Sequence, residues 1–327
     1  MLVIYSELKE VLKRVLLNLF FAEEKAELCA TIFANNSRDG VYSHGLNRFP
    51  VFVSAIKDGL ININSEPELI DRNGLIERWE GNLAPGMYNA NKAMDRSIEL
   101  AKTNGMGCVA LRNTNHWMRG GTYGWQAADA GCIGICFSNT IANMPPWGGK
   151  EPRLGNNPLV IAVPRENGHI VLDMAMSQFS YGKLQENVLN ERQLPVPGGY
   201  DVDGNLTVDP ASIIKSLRPL PIGFWKGSGL SFILDVLATA LSNGLSVGKI
   251  TATEKEIGLS QIFICFYQNT YHEELIEQII EFTKSSVLAD PSDTIYYPGE
   301  KTLLNRKKSE VEGVFVDKNI WDKVLNM

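Results

Sequence analysis

The chain lacks the raw material for several function classes. It has four histidines, His44, His116, His169 and His272, and no two share the spacing that one helix face uses to hold a metal. Its five cysteines, Cys29, Cys108, Cys132, Cys136 and Cys265, contain no Cys-x-x-Cys pair. A scattered, odd-numbered set excludes a zinc ribbon and argues against a secreted disulfide framework; most are expected to be buried small hydrophobes. No uncharged apolar run approaches the ~18 residues of a membrane helix. Basic residues are outnumbered, 31 Lys and Arg against 37 Asp and Glu, for a net charge of −6. The longest basic block is Arg306-Lys307-Lys308, so no nucleic-acid partner is expected. Lys9, Glu10, Lys13 and Arg14 break the first apolar stretch, which therefore does not read as a signal peptide. A cytoplasmic protein without a membrane partner is expected.

What remains is ordinary globular material: 327 residues, 44% hydrophobic and 21% charged. That suffices for two domains or one elaborated one. Residues 6–20 and 23–36 read as amphipathic helices, the second burying Leu28, Ile32 and Phe33. A turn at 37–40 follows, then a helix through Phe52, Val53 and Ile56 to Gly59. The texture then changes. Short strands are expected at 76–79, 108–111, 132–137, 159–163, 170–174 and 261–267. Between them, Asn82 caps a helix ending at Gly105, and Gly120-Gly121 opens one reaching Ala130. Residues 185–222, rich in Pro, Gly and Asp, read as a long functional loop. Helices are expected over 230–241 and 273–284, the latter with Ile276, Ile279 and Ile280 inward, and after Asp317. His169 and His272 read as turn and helix-start residues. No regular strand–helix alternation emerges, so the fold class is α+β rather than doubly wound.

Gly105-Met106-Gly107-Cys108-Val109-Ala110 satisfies the dinucleotide pattern G-x-G-x-x-A, with Asp129 at a suitable distance. That fingerprint needs a strand before the glycines and a helix after them, because the pyrophosphate rests on the helix N-terminus. Here the order is reversed, and a Rossmann site is rejected. Lys226-Gly227-Ser228-Gly229 does stand at a helix start, where it suits a phosphate or an ordinary turn.

His44 and Arg48 lie four residues apart in Tyr42-Ser43-His44-Gly45-Leu46-Asn47-Arg48-Phe49-Pro50. A helix starting at Ser43 or His44 puts them on one face. A later start, with Pro50 in the first turn, keeps them within one turn of chain. A 2-oxo acid reductase needs this pair: guanidinium to grip the carboxylate, imidazole to pass a proton to the carbonyl oxygen. An incidental histidine on a surface turn fits the spacing equally. Ser43-His44 also suggests a hydrolase nucleophile and base, but adjacent side chains rarely orient for that bond and no G-x-S-x-G elbow exists. Asn115-His116-Trp117 follows a buried strand, where a catalytic or a structural histidine can sit.

Several stretches jointly resemble the malate/L-lactate/ureidoglycolate dehydrogenase family. They are 41–50, the run from Ala110 through Asn115-His116-Trp117-Met118-Arg119-Gly120-Gly121 to Trp125, Met144-Pro145-Pro146-Trp147-Gly148-Gly149-Lys150, Gly155-Asn156-Asn157-Pro158 and Phe224-Trp225-Lys226-Gly227-Ser228-Gly229. The likeness runs nearly end to end, weakest at 165–169 and from Tyr267 to Tyr297. It implies a non-Rossmann nicotinamide fold, NADH- or NADPH-dependent reduction of a 2-oxo acid, and a homodimer. It implies a helical subdomain of residues 1–75, joined by 285–327, packed with a mixed-sheet NAD(P)-binding domain of 76–284. By the same resemblance His44 and His116 are catalytic, and Arg48, Ser43 and Asn115 bind substrate. Cofactor positions are Thr140, His169, Ile170, Val171, Leu172, Asp173, Met174, Ala175, Trp225, Lys226, Gly299, Glu300 and Lys301. Trp117 and the Pro145-Pro146-Trp147 loop favour a 2-oxo sugar acid over malate, lactate or ureidoglycolate. A non-catalytic sugar-acid binding protein is the alternative of another class.

Overall fold

A computed structural model describes residues 1–268 and 273–327, so His272 lies outside the described residues. The chain opens with β1 (Leu2–Val3), α1 (Tyr5–Asn18) and α2 (Glu23–Arg38). Two 3-10 turns, Tyr42–His44 and Leu46–Arg48, lead into α3 (Phe49–Lys57). β2 (Glu68–Asn73), β3 (Ile76–Glu80), α4 (Gly86–Asn104), β4 (Met106–Thr114), α5 (Gly121–Asp129) and β5 (Cys132–Ser138) follow. After β6 (Leu159–Val163) and β7 (Ile170–Met174) come α6 (Tyr181–Leu189), β8 (Gly199–Tyr200), β9 (Leu206–Thr207) and α7 (Pro210–Ser216). The chain continues with α8 (Trp225–Ser242), α9 (Val247–Ala252), β10 (Leu259–Tyr267) and α10 (Glu273–Lys284). It ends with α11 (Glu300–Glu312), β11 (Val314–Phe315) and α12 (Lys318–Leu325).

One core is helical. Leu8, Leu12 and Leu16 of α1, Phe33 of α2 and Phe49 and Phe52 of α3 pack together with Trp321 and Val324 of α12. The Phe33 ring lies 5.1 Å from that of Phe49 and 5.4 Å from that of Phe52. β1 pairs antiparallel with β11, laying the C-terminal segment on this unit. The other core surrounds a seven-stranded sheet of order β2-β3-β4-β10-β5-β6-β7. Among the described residues, only β3 and β4 pair in parallel. Successive residues of a strand face opposite sides. In β4, Val109 and Leu111 therefore join Met94 of α4 and Tyr123 of α5, while Cys108 and Ala110 join Leu234 and Ala238 of α8. Burial on both faces explains why β4 reads as a continuous apolar run. The fold is α+β with a mixed sheet, not a Rossmann fold.

The glycine pattern at 105–107 belongs to the α4–β4 turn. Gly105 caps α4 in the left-handed region (φ 87°), which favours glycine. A Cβ on Gly107 would fall 2.4 Å from Leu100 Cβ, so its bareness lets strand and helix touch. Asp129, which mimicked the ribose-binding acid, instead contacts His169 Nε2 at 2.9 Å.

Several expectations need correction. Asn82 does not cap α4: its φ is +50°, its amide donates to the Glu66 carbonyl, and the helix starts beyond Pro85. Gly86 there leans on the Asn115 backbone, where a Cβ would be 2.1 Å from the carbonyl oxygen. Ile279 is 67% exposed, because Ile280 is the residue that faces the protein one helical step on. β2 is a strand of the sheet although it precedes residue 75. Residues 185–222 are no plain loop: they carry the end of α6, then β8, β9 and α7, around a small core of Leu184, Leu194 and Ile213. These elements are too short to show a periodicity. α11 escaped notice because its sequence, rich in Lys and Glu, buries no residue fully.

The two cores are joined at Asp39, just past α2. Its Oδ2 accepts from Arg119 Nη1 (3.0 Å) and Arg306 Nη2 (2.9 Å), and its Oδ1 from Arg306 Nε (3.0 Å) and Arg38 Nε (3.1 Å). Burial alone would raise this carboxyl; the Arg306 hydrogen bonds and the nearby arginine charges outweigh it and hold it below its ordinary value. Asp39→Ala should destabilise the fold by about 3–5 kcal/mol, the usual cost of stranding buried charges. Urea unfolding checks this; a loss below about 1 kcal/mol would mean that water replaces the lost carboxylate.

Candidate active site

A cavity of about 770 Å³ lies between the helical unit and the sheet. His44 and His116 meet in it from opposite sides, their rings stacked with centroids 5.9 Å apart and planes 14° apart. Arg48 reaches the same cavity. The helix does begin late, at Phe49, with Pro50 in its first turn; His44 and Arg48 close the two preceding 3-10 turns.

Side chains at the end of α2 fix this bend. Asn36 Nδ2 donates to the His44 carbonyl (2.9 Å) and the Leu46 N–H donates to Ser37 Oγ (2.9 Å). Gly45 sits so close that a Cβ would meet Ser37 Oγ at 2.2 Å. In the tight turn Ser43 Oγ lies 3.0 Å from His44 Nδ1, a contact not expected between neighbours. It orients the ring.

His116 stands on a rigid base. Trp117 is buried between Tyr123 (5.5 Å) and Phe263 (5.9 Å), and Tyr123 donates to its carbonyl at 2.7 Å. The Asn115 amide donates to the carbonyls of Leu83 and Ala84, and its own carbonyl accepts from Gln261. Asn115 therefore supports the loop, and the structure does not bring it into the cavity. The Met118 N–H donates to His116 Nδ1 at 3.0 Å, which leaves the neutral ring's proton on Nε2.

Both imidazoles are neutral. Burial, then the repulsion that a protonated His116 would exert, pushes His44 down to about 3; Asp173 opposes this, while Arg48 and Arg119 add to it. Burial, then Arg48, pushes His116 down to about 3. Asp173 Oδ2 accepts from the Gly121 N–H (3.0 Å) and faces Arg119 Nε at 3.4 Å. Arg119 thus carries the Asp39 cluster to the catalytic wall. Neither Asp39 nor Arg119 was singled out from the sequence, since their partners are 80 and 267 residues away.

The remaining expected positions divide. Thr140, Asp173 and Ala175 line the cavity with Ser43. Ile170–Met174 form the sheet's edge strand β7, and Gly299 packs on it: its Cβ would lie 3.0 Å from Val171 N. Glu300 accepts from the Tyr297 N–H, and Lys301 Nζ lies 4.5 Å from the Tyr296 ring centre. The His169 side chain is engaged outside the cavity, by Asp129 and the Arg165 N–H. Trp225 and Lys226 stand exposed at the start of α8, away from the cavity wall. Trp147, too, packs outward on Phe224 at 5.2 Å.

The sequence matches the malate/L-lactate dehydrogenase family over residues 3–325. The chain belongs to that family. It is 47% identical over 330 residues to 2,3-diketo-L-gulonate reductase of Citrobacter koseri, covering 99% of each chain. It is 46% identical over 333 residues to the enzyme of the same name from Pasteurella multocida, covering all of both. Among solved structures it resembles sulfolactate dehydrogenase of Methanocaldococcus jannaschii (TM-score 0.87, 30% identity, 99% of this chain and 95% of that one). It also resembles malate dehydrogenase of Entamoeba histolytica (TM-score 0.94, 25% identity, 100% and 96%).

A dehydrogenase family implies a nicotinamide cofactor, and the cavity fits one. One carboxamide oxygen, Asn143 Oδ1, is buried on its wall without a hydrogen-bond partner, and the Thr140 hydroxyl is close by on the same wall. An amide-bearing ring satisfies such a pair.

This dehydrogenase should become more stable as pH rises from about 3 towards ~6.5. The folded histidines take a proton only near 3, whereas unfolded ones do so near ~6.5, so the unfolded chain binds more protons between these values. Urea midpoints between pH 5 and 6.5, compared with a His44→Gln/His116→Gln variant, test it. Parallel curves for the two proteins would show that the imidazoles are solvated.

Proposed function

We propose that this oxidoreductase reduces a 2-oxo sugar acid, 2,3-diketo-L-gulonate, to 3-dehydro-L-gulonate, with NADH or NADPH as reductant. The observation that carries the reading is the stacked His44–His116 pair sharing one cavity with Arg48. The names of the full-length relatives support the substrate. When bound, the reduced nicotinamide supplies a hydride to C2; Thr140, Asn143, Asp173 and Ala175 would hold its ring end, with β7 and Gly299–Lys301 beside them.

The chain's own residues handle the anion and the proton. Arg48 grips the carboxylate through two parallel hydrogen bonds. Its charge is one cause of the low proton affinity of both rings. A bound carboxylate offsets that charge, so substrate binding itself favours a proton on the pair. Because each ring opposes charge on the other, the pair carries a single proton. His44 delivers it to the C2 oxygen as charge develops there. His116, with Nε2–H fixed by Met118, donates a hydrogen bond to that oxygen.

We also infer a cytoplasmic homodimer. Phe232, Ile233, Val236 and Leu237 leave α8 with an exposed apolar face, Phe232 being 58% exposed. A face of that kind suits a second copy. All five cysteines are free and buried.

His44→Ala should cut kcat by on the order of 100- to 10,000-fold while nicotinamide fluorescence still reports cofactor binding. An unchanged kcat would remove His44 from the chemistry. Arg48→Lys should raise KM for the 2-oxo acid by about 10-fold or more, since an ammonium cannot make both bonds. An unaltered KM would place the carboxylate elsewhere. Rates on diketogulonate, oxaloacetate and pyruvate with both cofactors test the substrate; faster turnover of the latter two overturns the assignment.

A further inference from the structure

Glu256 enters the cavity from the loop between α9 and β10, and the reaction described above gives it no part. It faces Arg48, with Oε2 3.8 Å from Nη2, too far for a hydrogen bond. Ile141 supplies a backbone hydrogen bond. A carboxylate has about four accepting sites, so most of its capacity remains open. Its side chain is only 26% accessible. An under-used acid that deep is costly until donors reach it. Burial raises its carboxyl above the ordinary value, with Arg48 and the Ile141 N–H opposing, which softens its repulsion of an arriving anion.

α6 lends Gln185 to the cavity. This helix rides on residues 177–221, whose neck is tied by the Gln178 N–H to the Leu220 carbonyl (2.7 Å) and the Ile222 N–H to the Met176 carbonyl (2.8 Å). Gly182 seats α6 against the catalytic turn: a Cβ there would lie 2.7 Å from Ser43 Cβ.

We propose that Glu256, with Gln185 on the wall of the same cavity, is a subsite for the hydroxyl groups of the substrate beyond its reacting carbonyl, and that it sets the preference for polyhydroxylated over unsubstituted 2-oxo acids. The inference rests on the reductase reading above. Arg48 anchors the carboxylate next to Glu256, so the carbons that follow C2 pass within reach of its oxygens. Hydroxyls donating to a carboxylate make strong, charge-assisted bonds. An acid without them leaves the acceptor unfilled, the situation in which polar sites discriminate best.

The test compares kcat/KM for 2,3-diketo-L-gulonate and for pyruvate in wild type, Glu256→Gln and Gln185→Leu, with one cofactor throughout. The ratio of the two values should fall about 10-fold or more in Glu256→Gln, through KM for the polyhydroxylated acid, and in the same direction in Gln185→Leu. Equal losses on both acids would mean that Glu256 works only by holding Arg48, and would overturn the proposal. So would a change confined to the KM of the cofactor. Gln185→Leu, on a separate element, keeps the question answerable if Glu256→Gln does not fold. A wild type inert towards both acids sinks the reductase reading instead, before any variant is made.

Discussion

A single buried carboxylate ties this protein together. Asp39 is met by Arg38 from α2, Arg119 from the loop before α5 and Arg306 from α11. A carboxylate among three guanidiniums is stable in the interior only if its oxygens are fully engaged, and here both are. Its value is positional. Arg119 is held at one end by Asp39 and faces Asp173 at the other, and Asp173 is an edge-strand residue on the cavity wall. The helical unit that carries His44 and the sheet that carries His116 are thereby locked at one separation. The 5.9 Å ring stack follows from that lock.

The electrostatics of the cavity follow from the same arrangement. Burial is the main reason both rings stay uncharged, and the charge of Arg48 adds to it at each of them. In the proposed reaction, an anion on Arg48 would offset one of the charges that oppose a proton on either ring.

How much of this was legible in the sequence depends on the range of the interaction. α1, α2, β6 and β7 could be read to within a residue or two because their apolar patterns are local. The false dinucleotide pattern could be discarded for the same reason, since element order is local information. His44 and Arg48 stood out because four residues separate them. By contrast, Asp39, Arg119 and Glu256 acquire meaning from partners far along the chain, and composition says nothing about such pairs. Asn115 shows the converse. Its place in a recognisable stretch suggested substrate contact, while its amide is committed to the carbonyls of Leu83 and Ala84. α6 and α7 were hidden because their small core of Leu184, Leu194 and Ile213 draws one apolar residue from each of several short elements.

The division of labour between the two cores explains why a mixed sheet can serve a nicotinamide enzyme. A doubly wound fold places its ligand at the carboxyl ends of parallel strands, where helix N-termini point inward. Here, among the described residues, only β3 and β4 pair in parallel, and their strands form no such crevice. The cavity lies instead at the seam between the units, with His44 contributed by one and His116 by the other, and the edge strand β7 along one side. An edge strand normally invites unwanted pairing. In this chain the Val171 N–H is taken by the Pro298 carbonyl, and Gly299 lies flat against the strand. The residues that protect this exposed edge are the same few proposed to hold the cofactor, so a side chain at Gly299 would disturb the edge and, on that proposal, the cofactor wall as well.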